Sequence, residues 1–329
     1  MVFAALAATL VTAPPSGADV VIRTVGAGDG PFGVAITPDG SRAYVAGSLS
    51  GNVISIDTTT YDQGGINVAQ APGGLAITPD GTRAYVPQLY DGSVAVIDTA
   101  TDTLITTVPI DEQAGPISVA VTPDGSHVYV ANRSSDDIAV IDTSSNTVTD
   151  TFAVGDGPFW IAFTPDGSRA YVAHQLDGTV KVVDTSDNSV VTSIPAGTSL
   201  GGIAIAPDGK HAYATDSEAG AVVVIDTTSN TVATTVPVGE GPAGIAVTPD
   251  GSRVYVTITA EARVASIETA DNTAGPSVPV GLFPMGVAIT PDGKQAWVTG
   301  NNSGTVSVVQ IEYPTPAGSL GSLGSLFGS

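Results

Sequence analysis

One place in this sequence recurs seven times, the residue that follows each YVA-like element: Gly47, Gln88, Asn132, His174, Asp216, Ile258 and Gly300. Four consecutive occupants carry hydrogen-bonding side chains. His174 and Asp216 are the types that serve as a general base and the carboxylate orienting it, and Glu112 or Asp111, from the lengthened segment "DEQAG", could act as an acid. Gln88, Asn132, His174, Asp216, Asp111, Tyr90 and Arg133, with Phe159 and Trp160, form the convergent set expected of a small-ligand site. The competing reading is that polar residues at strand ends satisfy the backbone of their own loops. No serine stands in a nucleophile elbow, no Asp-rich run has EF-hand spacing, and the Gly-rich loops lack the Lys and following helix of a phosphate cradle. Neither a metal nor a cofactor is expected.

A repeat sets these residues out. "VAITPDGSRAYVAG", residues 34–47, returns in variants along the chain, and the prolines of the PDG triplets are Pro38, Pro79, Pro123, Pro165, Pro207, Pro249 and Pro291, spaced 41, 44, 42, 42, 42 and 42. A catalytic motif is needed once per active site, so a phrase present seven times is first of all architectural. Within residues 160–196 the alternating stretches "WIAFT", "RAYVAH", "TVKVVDT" and "SVVTSIPAG" are separated by PDG, "QLDG" and "SDN", which reads as a four-stranded meander. In the triplet, Pro presets the first turn angle, Asp bonds the backbone two residues on, and Gly takes the positive φ that ends the hairpin. Seven such units predict an all-β fold, a seven-bladed β-propeller of four-stranded antiparallel blades. The seventh unit stops at its third strand, "TVSVVQIEY", whereas an orphan strand "DVVIRTVGAG" precedes the first PDG, so the N-terminal strand is expected to close the last blade.

Composition supports a folded, turn-rich chain. Of 329 residues 42% are apolar, enough for a core, while 39 Gly and 23 Pro with only 13% charged residues suit many short strands. A net charge of −22 repels phosphate backbones and anionic membrane surfaces, so nucleic acid is not an expected partner. The absence of Cys excludes disulfides, thiolate nucleophiles and Zn–Cys or iron–sulfur sites. Residues 1–18, "MVFAALAATLVTAPPSGA", hold an apolar run of signal-peptide length without a basic start, and the run stops at Pro14, short of a membrane span. The expectation is a secreted or cell-surface protein without membrane insertion, a monomer, with the propeller over residues 19–313 and a Gly/Ser/Leu-rich flexible tail over 314–329.

With "YVAG", "YVPQ", "YVAN", "YVAH", "YATD", "YVTI" and "WVTG" each placed after a PDG and before a strand such as "VAVIDT", the chain resembles the YVTN-repeat β-propeller family from about Val20 to Tyr313. Each copy departs mildly from the name-giving tetrapeptide. The resemblance implies a seven-bladed ring, most often exported or at the cell surface. Similar propellers include lactonases of the phosphogluconolactonase type and streptogramin-type lyases, so it leaves the question of catalysis open.

In a propeller the loops entering each blade, and those joining its second and third strands, share the face around the channel mouth. Five residues before the PDG prolines stand Gly33, Gly74, Ser118, Trp160, Gly202, Gly244 and Gly286, so the indole of Trp160 projects over the channel or packs under a neighbouring loop, with core filler as the competing reading. Phe159, Phe32, Phe283 and Met285 could form an apolar rim or close the channel. Trp297 replaces the Tyr of the YVA element and is expected in the packed sheet. On the other face Arg42, Arg83, His127, Arg169, His211 and Arg253 recur opposite Asp57, Asp98, Asp142, Asp184, Asp226 and Glu268, a pattern of structural pairing. The functional expectation is a rigid platform binding a small molecule, glycan or protein segment at the mouth. The alternative is a hydrolase or lyase acting on a lactone-like or cyclic ester substrate, with His174 as base. The acidic excess predicts self-repulsion, so the thermal midpoint should rise as salt screens like charges. A flat response between dilute buffer and molar salt would show that the carboxylates are already locally paired.

Overall fold

The PDG turn is built as its residue types dictate. Thr37 Oγ1 donates to Asp39 Oδ1 at 2.6 Å, Ser41 N donates to the same oxygen at 3.0 Å, and Gly40 sits at φ +74°. The triplet also does something its sequence does not announce. A Cβ on Gly81 would lie 3.3 Å from Cδ of Pro38, the proline of the preceding turn, and the same contact repeats around the ring until Gly40 meets Pro291 at 3.5 Å. The turns therefore interlock, proline of one blade under glycine of the next.

The structure, a computed structural model, describes residues 18–313. The leader through residue 17 and the tail 314–329 lie outside the described residues. Seven four-stranded antiparallel sheets follow one another, each running from an innermost to an outermost strand. In the fourth blade these are Pro158–Phe163, Arg169–His174, Thr179–Asp184 and Ser189–Pro195. The seventh blade is completed by the N-terminal strand Val20–Gly26, which pairs with Thr305–Gln310 so that Val25 faces Val306. Blade two departs from the pattern. Its innermost strand shrinks to Ala76–Ile77, because Gly73 N bonds Pro87 O while Gly74 N turns to Ile117 O of the third blade.

Between blades the facing sheets bury aliphatic clusters, for example Tyr44, Ala46, Val53 and Ile66 of the first against Leu75, Val86 and Ile97 of the second. A polar latch runs along five of the seven seams. The Tyr of the YVA element reaches the turn between the third and fourth strands of the next blade: Tyr44 Oη donates to Asp102 Oδ1 at 2.6 Å, Tyr85 to Asn146 Oδ1 at 2.9 Å, and Tyr171 to Asn230 Oδ1 at 2.6 Å. Tyr129 donates likewise to Asn188 Oδ1. Trp297 takes the tyrosine's place in the last blade, is fully buried as expected, and stacks on Tyr61 at 6.0 Å and 23°.

The paired basic and acidic positions do face each other in register, from Arg42 opposite Asp57 to Arg253 opposite Glu268. Their side chains follow that register only at Arg169 with Asp184 and Arg253 with Glu268. Arg42 instead reaches Asp102 of the next blade at 2.6 Å, and Arg83 donates to Thr143 O. The pairing is thus corrected. A long side chain on this face gains more by bridging the seam, where the acceptor is otherwise buried, than by crossing to an exposed partner on its own sheet.

At the closure, Asp19 accepts from Tyr255 Oη at 2.6 Å and Glu312 N at 2.8 Å, with Arg253 Nη1 3.5 Å away. Deleting residues 1–26 should therefore expose the Val306–Val309 edge and abolish cooperative melting or cause aggregation. Tyr255→Phe, which removes one buried bond to a carboxylate, should cost about 1–3 kcal/mol in a denaturant titration. An unchanged melting transition in the truncated chain would refute the closure role of the first strand.

Candidate functional site

The innermost strands pack so tightly that side chains are nearly excluded. A Cβ on Gly244 would lie 2.2 Å from Met285 O of the next blade, so no larger residue fits. In the fifth, sixth and seventh blades a threonine fastens this approach. Thr215 Oγ1 accepts from Gly202 N at 2.9 Å and donates to Ala243 O at 2.8 Å; Thr257 links Gly244 N to Met285 O, and Thr299 links Gly286 N to Phe32 O. In the third blade Ser118 Oγ donates to Phe159 O at 2.7 Å.

Trp160 breaks the rule of small residues. Its indole spans the channel from the fourth blade to the second, where a Cβ on Gly74 would meet Cη2 at 2.6 Å. Phe32 and Phe159 stand tilted against it, with ring centroids 6.5 and 6.3 Å away. Six residues before the PDG prolines the ring presents Phe32, Gly73, Ile117, Phe159, Gly201, Ala243 and Met285. Bulk is thus missing at Gly201 and Ala243, beside the floor made by Trp160. The result is a pocket of about 520 Å³ of empty space, its open side included, lined by Phe32, Phe159, Trp160, Met285, Gln175, Ser217, Pro242, Ala243 and the inner glycines. Its wall is chiefly apolar, Trp160 is half-buried, and Gln175 Oε1 is buried there without a hydrogen-bond partner.

Of the residues singled out in the sequence, Phe159 and Trp160 of the ligand set and Phe32 and Met285 of the apolar rim line this pocket, whereas Phe283 does not. Gln88, Asn132, His174 and Asp216 are buried at the ends of their strands and turn to their own loops. Gln88 Oε1 accepts from Ser93 Oγ at 2.6 Å, and Asn132 Nδ2 donates to Asp137 Oδ1 at 2.7 Å. Asp216 accepts four backbone amides, those of Thr198, Ser199, Glu218 and Ala219. His174 Nδ1 donates to Val172 O at 3.1 Å, and its Nε2 is buried without a partner. His174 and Asp216 therefore do not form a base and its orienting carboxylate, because every acceptor of Asp216 is spent on closing its loop. Tyr90, Asp111, Glu112 and Arg133 are exposed on loops of the second and third blades and are not brought to the pocket; Asp111 Oδ1 caps Gln113 N at 2.8 Å. Gln175, Ser217 and the threonine bridges were missed. The signal for them is present one residue further along each copy, where Gln175 and Ser217 stand, and in the change from Ala to Thr at 215, 257 and 299.

Comparison with known proteins agrees with the architecture. A family described as "Lactonase, 7-bladed beta-propeller" matches residues 17–150 and 142–276. Among solved structures, hydrazine synthase of Kuenenia stuttgartiensis superposes with a TM-score of 0.79 at 23% identity, over 93% of this chain and 99% of that one. At that identity the likeness concerns the fold. No curated protein matches the sequence.

Burial pushes the His174 imidazole below its ordinary 6.5, against the opposing pull of Asp177. A folded value below the unfolded one means that the neutral ring's contribution to stability is complete above about 6.5 and is lost as pH falls from there through the folded value. The thermal midpoint should therefore decline below pH 6.5, and His174→Gln should flatten that slope. An identical slope in the variant would show that His174 is not the titrating group.

Proposed function

This chain belongs to the lactonase family of seven-bladed β-propellers, and from that premise we propose that it is an exported or surface-associated platform that holds a small molecule in the mouth pocket over Trp160. The observation that carries the reading is one indole laid across a channel whose other inner positions are almost all glycine. Such a floor, with Phe32, Phe159 and Met285 as walls, offers an apolar body large flat contact, and the threonine bridges between blades make the site rigid before the ligand arrives. Ligand identity is set by the few polar groups on the wall, Gln175 and Ser217.

The family's name favours a second reading, hydrolysis of a lactone-like ester. Ser217 is the hydroxyl at the pocket, but Ser217 Oγ donates to Ser199 O at 3.2 Å, and the buried His174 turns to Val172 O. A serine without a base in hydrogen-bond reach is a weak nucleophile, which supports binding over turnover.

Trp297→Phe leaves Trp160 as the single indole, at a packing cost of about 1–2 kcal/mol for trimming a buried ring. Emission from Trp160 should then be partly quenched by acrylamide and altered by a true ligand. Trp160→Gly should keep the fold, with a loss of about 1–3 kcal/mol, and weaken ligand binding at least tenfold. Full-strength binding in Trp160→Gly would place the ligand elsewhere. Hydrolysis of glucono-δ-lactone that disappears in Ser217→Ala would favour the enzymatic reading instead.

A further inference from the structure

No charged side chain lines the mouth pocket. An ammonium or a carboxylate entering it would give up water without meeting a counter-ion on the wall, a penalty that an uncharged ligand escapes. Arg133, which holds in the third blade the position of Gln175 and Ser217, is exposed, has no ion-pair partner among the described residues and lies outside the lining. A cation therefore gains nothing from that side either.

The polar groups of the wall are unequal. The inner carbonyls of Phe32, Ala243 and Met285 already accept from Thr299, Thr215 and Thr257. Gln175 Oε1 is buried out of a ligand's reach, so the amide shows the cavity its Nε2 instead. Neither Gln175 Nε2 nor Trp160 Nε1 is bonded to an acceptor among the described residues, and neither is sealed from solvent, so both N–H groups stand open. An indole N–H at a half-buried position ordinarily has an acceptor. Ser217 Oγ donates to Ser199 O at 3.2 Å, and its hydroxyl can turn to give or to take a bond. The wall thus offers two free side-chain donors, one hydroxyl of either sense, and no fixed side-chain oxygen or nitrogen acceptor within reach.

Resting on the reading of the mouth as a small-molecule site, we propose that its ligand is an uncharged flat ring whose polar edge only accepts hydrogen bonds, through a carbonyl oxygen or a ring nitrogen. The ring packs among Trp160, Phe32, Phe159 and Met285, where aromatic faces and edges are both presented. Its acceptor is met by Gln175 Nε2 where the ring lies over the indole, and by Trp160 Nε1 where it stands at the indole's edge. Ammonium compounds and carboxylates are the ligands this wall disfavours.

Four probes of one shape test this by calorimetry on the full chain: 1-indanone, which only accepts; indane, which does neither; 1-aminoindane, an ammonium at neutral pH; and 1-indanecarboxylate. Indanone should bind about fivefold more tightly than indane, the worth of one hydrogen bond, and both charged probes more weakly than either. Gln175→Leu and Trp160→Phe each remove one donor while keeping apolar bulk. At least one of them should bring indanone down to the level of indane, with indane itself changed by less than about twofold and the melting curve confirming the fold. Equal binding of indanone and indane, a preference for either charged probe, or an indanone preference that survives in both variants overturns the inference and leaves the pocket standing. Binding of none of the four overturns the pocket reading as well. Should Trp160→Phe fail to fold and Gln175→Leu keep the preference, the indole N–H resonance of Trp160 in the parent chain decides. Indanone must then move that resonance further than indane does, and equal movement overturns the inference.

Discussion

The ring depends on a tyrosine hydroxyl handed from one blade to the next at five of its seven seams. A propeller blade alone is a small twisted sheet, and sheet-to-sheet packing by Val, Ile and Ala leaves the angle between blades free to slide. The latch from the YVA tyrosine to the following turn removes that freedom, because a buried bond of 2.6 Å from Tyr44 to Asp102, or from Tyr171 to Asn230, is satisfied at one angle only. The acceptors Asp102, Asn146, Asn188 and Asn230 all sit at positive φ, the region in which Asp and Asn are the tolerated side chains, so the residue that makes the turn also receives the bond. Burial pushes the hydroxyls of Tyr129 and Tyr171 up to about 12, which keeps them protonated donors in any ordinary medium. Once blade angles are fixed, the inner strands are held at a spacing that leaves room for little beyond glycine at five of the seven equivalent positions, and the shape of the channel follows.

Closure uses the same device with a different residue. Tyr255 would need a turn acceptor in the seventh blade, but that blade's outer strand comes from the other end of the chain. Asp19, just ahead of that strand, supplies the acceptor and takes Glu312 N as well. Two distant ends of the sequence thus meet at one buried carboxylate. One seam is less complete: Asn272 Oδ1 is buried without a partner.

What was legible in the sequence was whatever the repeat states seven times: strand count, turn chemistry, the order of blades and the closing strand. The site was half legible. Trp160 stood out because six equivalent positions hold Gly or Ser. The polar run from Gln88 to Asp216 misled by one residue. Successive side chains in a strand point to opposite sides, so the position that ends the second strand turns into the blade, while the next one, Gln175 or Ser217, faces the pocket. Composition cannot tell these two apart, and only the strand's exit from the sheet decides it. The seam-crossing arginines were illegible for a related reason, since register fixes where a backbone lies but not which neighbour a long side chain will choose.

The same accounting explains how a chain of net charge −22 holds together. Most of its aspartates are backbone acceptors before they are charges. Hydrogen bonds from Thr122 and Ser126 hold Asp124 down to about 2, and those from Ser144 and Ser145 hold Asp142 down to about 2. Each folded value lies below the unfolded one near 3.9, so the contribution of these turns is present above that value and lost only as pH falls through the folded one. His174 acts in the opposite chemical sense but in a separate window, starting to lose its contribution near 6.5. Acid should therefore reach the fourth blade well before it reaches the turns that recur in every blade. The exposed carboxylates left over, among them Asp29, Glu112, Asp156, Glu218 and Glu240, carry no such structural duty, and the ring spends most of its other acids on turns and seams.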